Sequence, residues 1–153
     1  MLGKALSASV RSLPQAVIIY VLAWLMGVKV NWNPLALAGV LVVVVLGAAL
    51  FATFSLIIAC LVKTRERFMG IGQLLTMPLF FASNAIYPLS LMPDWLRVIS
   101  RINPLSYQVD ALRALMIQGG VSNFGLTVDF AVLLVSTVVL VMIGARLYQR
   151  VVI

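Results

Sequence analysis

The chain has no histidine, a single cysteine and only four acidic residues among its 153. Each shortage closes off a class of chemistry. Histidine is the commonest metal ligand and the side chain best placed to gain and lose a proton near neutral pH, so its absence removes the usual general base. With Cys60 alone, no disulfide can form within the chain. The four acids, Glu66, Asp94, Asp110 and Asp129, are far apart in sequence. No catalytic triad, carboxylate pair or metal cluster is therefore expected. No G-x-x-x-x-G-K-[ST] stretch occurs, so the chain lacks that means of cradling ATP. These shortages argue against an enzyme, and no cofactor is expected.

What is present in excess is apolar. Hydrophobic residues make up 63% and charged residues 10%, and the mean hydropathy is +1.15. Soluble domains carry about 25% charged residues, so a chain this greasy reads as a single multi-pass membrane domain. The net charge of +7 sits in short loops between apolar runs and forms no basic stripe. Topology rules account for that distribution, and nucleic-acid binding is not expected. Residues 1–10 have no long apolar core ahead of a cleavage site, so no cleavable signal peptide is evident.

Four charge-poor runs set the expected topology: an all-α membrane fold with spans at about 12–28, 35–62, 68–87 and 125–145. Residues 1–13 read as an interfacial lead-in, with Pro14 early in the first span, where a missing N–H costs little. The second run is long enough, at roughly 42 Å, to require tilt or protruding ends. Its second half carries Ala48, Ala52, Ser55 and Ala59 at helical spacing, a small-residue stripe suited to close helix approach. Pro78 interrupts the third run, and Asn84 within it needs a protein or water partner. Asp129 lies one turn into the fourth, at the expected interface.

Between the third and fourth runs, about 88–120, charge mixes with apolar residues at helical spacing. Trp95, Val98, Ile99 and Ile102 share one side of a short helix, with Asp94, Arg97 and Arg101 on the other. Asn103-Pro104 stops it. A second helix sets Leu105, Val109, Leu112 and Met116 against Ser106, Asp110 and Arg113, and ends at Gly119-Gly120. Neither helix can cross a bilayer, so an amphipathic hairpin at the membrane surface, or dipping into it under protein cover, is expected. Asp110 and Arg113, three apart, are expected to interact or to help seat the hairpin. With four spans, Lys4, Arg11, Lys63, Arg65, Arg67, Arg146 and Arg150 fall on one side, and Lys29, Arg97, Arg101 and Arg113 on the other. Seven against four puts both termini in the cytoplasm and the hairpin outside.

The hairpin also carries a resemblance. Pro78, Tyr87-Pro88-Leu89-Ser90, Met92-Pro93-Asp94-Trp95-Leu96, Asn103-Pro104-Leu105-Ser106-Tyr107 and Asp110-Ala111-Leu112-Arg113, followed by a last span with a basic tail, resemble the membrane subunit of ABC-2 type exporters. The drug and antibiotic exporter permeases and the nodulation-type lipo-oligosaccharide exporters are the most similar branches. The resemblance implies a bacterial inner-membrane permease that pairs with a second permease subunit and is driven by a cytosolic ABC ATPase subunit. It also implies six spans, of which this chain matches the third to sixth, as a truncated form lacking the first two. Arg11, Lys63, Arg65, Glu66 and Arg67 are then the candidate ATPase contacts. Asn84, Pro88, Trp95, Asp110 and Arg113 are the candidate hairpin or pathway residues, and the cargo is a hydrophobic or amphipathic molecule. A non-transporting assembly or anchoring protein is the alternative reading.

Overall fold

A computed structural model describes residues 2–62 and 64–151. Six α-helices follow one another: α1 Leu2–Leu25, α2 Pro34–Leu61, α3 Arg65–Phe81, α4 Asp94–Ile102, α5 Pro104–Met116 and α6 Leu126–Val151, with a 3₁₀ turn at Leu89–Leu91 before α4. Their starts follow from local chemistry. Asn33 accepts the Leu35 N–H ahead of Pro34, and Asn103 accepts the Leu105 N–H ahead of Pro104. Each is an asparagine cap followed by a proline whose missing N–H costs nothing at the first helical position. Thr64 Oγ1 accepts from Arg67 N at the start of α3. Gly27, Gly119 and Gly125 have positive φ and close the turns that follow α1 and α5 and precede α6.

Among the described residues, three helices are long and apolar enough to cross a membrane, over Leu6–Leu25, Pro34–Leu61 and Leu126–Tyr148. Each presents large apolar side chains outward, as at Ile18, Leu22, Leu41, Val42, Leu134 and Val138. Outward-facing apolar surface of this extent suits lipid contact. α1 runs without a break from Leu2, so the expected lead-in and first span are one helix, with Pro14 inside it rather than near its start. α6 likewise continues past 145 through the basic tail.

The third run differs most from expectation. It is helical for 17 residues, Arg65–Phe81, and then turns through residues 82–88. Six charge-free residues that the sequence joins to the span are turn instead. Pro88 pushes Tyr87 away from helical angles. Ser83 takes over local backbone bonding, donating to Phe80 O and accepting from Ala85 N.

The core lies where α5 meets α2 and α6. Val43, Leu50, Ala111 and Leu133 are fully buried there, backed by Leu46, Leu112 and Phe130. A second cluster joins α1 to the same place through Tyr20, Val30 and Val40, with Leu112, Leu115 and Met116 packed against it. The Ala48–Ala59 stripe is not the buried face of α2: Ser55 and Ala59 are exposed, and the buried row runs through Val43, Gly47, Leu50 and Ile57. The stripe instead borders an open crevice that it shares with Ser7, Arg11 and Phe68.

Pairings along the helices fix which ends lie together. Ser9 donates to Val45 O, and Leu6 and Leu13 share a crevice with Val45, Thr137 and Val141. α1 therefore runs antiparallel to α2 and to α6, and α6, which starts beside the 117–125 loop, runs parallel to α2. The 26–33 turn is bonded to the end of α5 by Asn31 N to Met116 O and Gln118 N to Lys29 O, at 2.7 and 2.9 Å. This end of the molecule also holds the turn after α3 and the 117–125 loop. The opposite end holds the start of α1, the α2–α3 loop and the end of α6.

Candidate functional site

The polar residues of an apolar chain have to find one another, because a buried group without a partner costs several kcal/mol in a lipid-like surrounding. Here they collect around α5. Ser106, Asp110 and Ala111 of that helix are buried, so much of its polar side is turned into the molecule. The reason is that α2 and α6 offer α5 apolar support on its flanks, while the loops before and after it bring hydrogen-bond donors to its polar row.

Asp110 is the centre. Its Oδ1 accepts from Asn84 Nδ2 at 3.3 Å and Asn123 Nδ2 at 2.6 Å. Its Oδ2 accepts the backbone N–H groups of Asn123 at 2.7 Å and Phe124 at 3.1 Å. Ser122 Oγ lies 2.9 Å from the same oxygen. Two backbone and two side-chain N–H donors on one carboxylate form a charge-assisted set stronger than neutral hydrogen bonds. Stacking supports it from the side, with the Tyr107 and Phe124 ring centroids 4.6 Å apart.

The set reaches three other elements. Asn84 belongs to the turn after α3, which is further held by Arg113 Nη2 donating to Asn84 O at 3.2 Å. Asp110 and Arg113 do not pair directly: both engage Asn84, one through its side chain and one through its carbonyl. The one ion pair among the described residues joins Arg97 to Asp94 at 3.2 Å, on the surface of α4. Asp129 at the start of α6 is fully buried, with Oδ2 2.7 Å from Ser122 Oγ. Asp110 and Asp129 thus form a carboxyl pair bridged by one hydroxyl, which their 19-residue separation in the sequence conceals.

A second clasp secures the α4–α5 corner. Asn103 caps α5 with its oxygen while its Nδ2 donates to Leu79 O at 2.6 Å, occupying an orphan carbonyl in the last turn of α3. Ser100 and Ser106 hydroxyls meet at 2.9 Å, fully buried, and Tyr107 Oη donates to Arg101 O. The sequence marks Asn103 as a helix stop but not as a tie to α3, nor residues 122–124 as the donors around Asp110. The usable signal was the concentration of Ser and Asn in loops flanking a buried acid.

The other candidates are spread out. Trp95 is exposed and borders an apolar crevice with Pro78, Phe81 and Ile99. Pro88 is exposed, and its carbonyl accepts from Leu91 N in the 3₁₀ turn. At the opposite end, Arg11, Arg65, Glu66 and Arg67 are all exposed, and Arg11 borders the same crevice as Phe68. Lys63 lies outside the described residues. An open, almost wholly apolar cavity of about 440 Å³ lies between α2, α3 and α6, lined by Phe51, Phe54, Leu75, Leu79 and Leu140 among others.

Comparison with known proteins places the sequence in a family. Residues 1–117 match the family described as ABC-2 type transporter. Nodulation protein J of Bradyrhizobium diazoefficiens is 27% identical over 128 residues, covering 84% of this chain and 48% of that protein. Nodulation protein J of Sinorhizobium fredii is 26% identical over 152 residues, 98% of this chain and 55% of that protein. The protein of Cyanophora paradoxa named transport permease ycf38 is 41% identical over 63 residues, 41% of this chain and 22% of that protein. The chain spans about half the length, or less, of these relatives. No solved structure matches it. With more than two thirds of its residues matched, from α1 to the end of α5, the chain belongs to the ABC-2 type transporter family.

Proposed function

We propose that the chain is the four-span portion of a membrane permease subunit that exports a hydrophobic or amphipathic molecule, with ATP hydrolysis supplied by a cytosolic ABC ATPase. The remaining crossing is made by α3, 17 residues long, together with the turn after it. α4 and α5 then form the extracytoplasmic hairpin, the termini lie in the cytoplasm, and a second permease subunit completes the pathway.

One observation carries this reading: exposed charges beside an open crevice at one end of the bundle, and a cluster of buried polar side chains at the other. The end holding Arg11, Arg65, Glu66 and Arg67 exposes its charges to solvent beside an open crevice, as a docking surface for a soluble partner requires. The end holding Asn84, Asp110, Asn123 and Asp129 folds its polar groups inward, as a compact cap on the pathway requires. Opposed ends with these properties suit a subunit driven from one side and opening on the other. The two curated relatives named nodulation protein J support the reading at family level.

The test is copurification. Expressed with a cytosolic ABC ATPase from the same genome, the chain should retain that ATPase in detergent, and joint neutralisation of Lys63, Arg65 and Arg67 to Gln should reduce the yield at least tenfold. Full retention by the triple variant removes the docking assignment. Failure of the unaltered chain to bind any such ATPase favours an assembly or anchoring role.

A further inference from the structure

Ser122 has one hydroxyl proton and three close neighbours. Gly125 N donates to its oxygen at 2.7 Å, while Asp110 Oδ2 lies 2.9 Å and Asp129 Oδ2 2.7 Å away. The hydroxyl can donate to only one carboxyl. The other would then be an oxygen–oxygen contact between two acceptors, inside a region where both acids are fully buried. Such a contact is stable only if a second proton lies on it.

The two acids are not equivalent. Asp110 already receives four N–H donors, two from backbone and two from amide side chains, a set that suits a charged acceptor. Asp129 has only Ser122, and its Oδ1 is buried with no hydrogen-bond partner. A bare carboxylate oxygen in that position is far costlier than a neutral carbonyl. No nearby cation reverses the assignment. The Arg113 guanidinium bonds Asn84 O, Arg97 is paired with Asp94, Lys29 is exposed, and α2 contains no charged residue.

We infer that Asp110 and Asp129 hold a single shared proton, resident on Asp129, in the chain Asp129 Oδ2–H to Ser122 Oγ–H to Asp110 Oδ2. This makes the junction of α5, the 117–125 loop and α6 a proton-dependent latch. Loss of the proton to solvent leaves two anions facing one hydroxyl, and the first turn of α6 is released from the loop. The inference concerns the junction alone and stands apart from the export reading.

Infrared spectroscopy of the full chain in lipid nanodiscs tests it. At neutral pH the wild type should show the carbonyl stretch of a protonated carboxylic acid, and Asp129→Asn should lack it. The asparagine amide replaces the acid as donor to Ser122, so this variant should melt within a few degrees of wild type. If Asp129→Asn gives no folded protein, Asp129→Glu serves instead, since a glutamic acid carbonyl absorbs at a different frequency and must shift the band. No band in the wild type, a band that survives Asp129→Asn, or one unmoved by Asp129→Glu overturns the inference.

Discussion

Asn84 and Asp110, 26 residues apart, meet inside the molecule with Asn84 Nδ2 3.3 Å from Asp110 Oδ1. This contact ties the turn after α3 to the buried row of α5. α3 has no buried residue of its own, so its position depends on polar ties at its C-terminal end, at Asn84 and at Leu79 O, more than on apolar packing.

Asp110 is accordingly the side chain with most to lose. Asp110→Ala strands the N–H groups of Asn123 and Phe124 and both partner amides, and should lower stability by about 3 kcal/mol or more, because each unsatisfied buried donor costs about 1–3 kcal/mol. Asp110→Lys should abolish accumulation in the membrane. Lys29→Glu, at an exposed site, should stay within about 0.5 kcal/mol of wild type. Thermal unfolding in detergent and membrane yield compare them, and equal effects would contradict the central place given to Asp110.

Asn103 performs two tasks that substitutions can separate. Asn103→Ser keeps an oxygen for the Leu105 N–H but cannot reach Leu79 O, whereas Asn103→Ala loses both. Serine should therefore recover about 1 kcal/mol, the worth of the cap. The last turn of α3 should exchange its amide hydrogens faster in both variants. Protection of that turn unchanged in Asn103→Ser would show that the Leu79 clasp does not hold it.

Two glycines at close approaches should respond differently to alanine. A Cβ on Gly120 would meet backbone, 2.6 Å from Arg113 O and 3.0 Å from the Ala114 Cα. A Cβ on Gly47 would meet only the amide end of the Gln108 side chain, which can swing aside. Gly120→Ala should cost about 1–3 kcal/mol as an overpacked contact, and Gly47→Ala less. Adding Gln108→Ala to Gly47→Ala should offset most of the loss, a coupling that a double-mutant cycle reads directly. Additive losses at Gly47 and Gln108 would rule out the contact.

The long apolar helices were legible in the sequence because lipid-facing and core-facing positions are both apolar, so length alone announces them. Residues 33–34 and 103–104 were equally legible, since asparagine before proline states a boundary chemically. Residues 82–87 were not: a charge-free run looks the same whether it is helix or turn. The buried polar row of α5 was hidden for a related reason. Helical periodicity separates two faces but does not say which one meets protein in a chain whose apolar faces can meet lipid instead. Asp129 illustrates the limit, since its partner Ser122 comes from a loop and its second neighbour Asp110 from another helix.

The placement of α4 and α5 on the extracytoplasmic side tests the account most directly. Cys60 is the single cysteine, so a Cys60→Ser background accepts one reporter at a time. Trp95→Cys, at an exposed position on α4, should react in intact cells with a membrane-impermeant maleimide, and Arg67→Cys should react only after permeabilisation. Labelling of Trp95→Cys that requires permeabilisation, with Arg67→Cys open from outside, would invert the molecule and contradict the account.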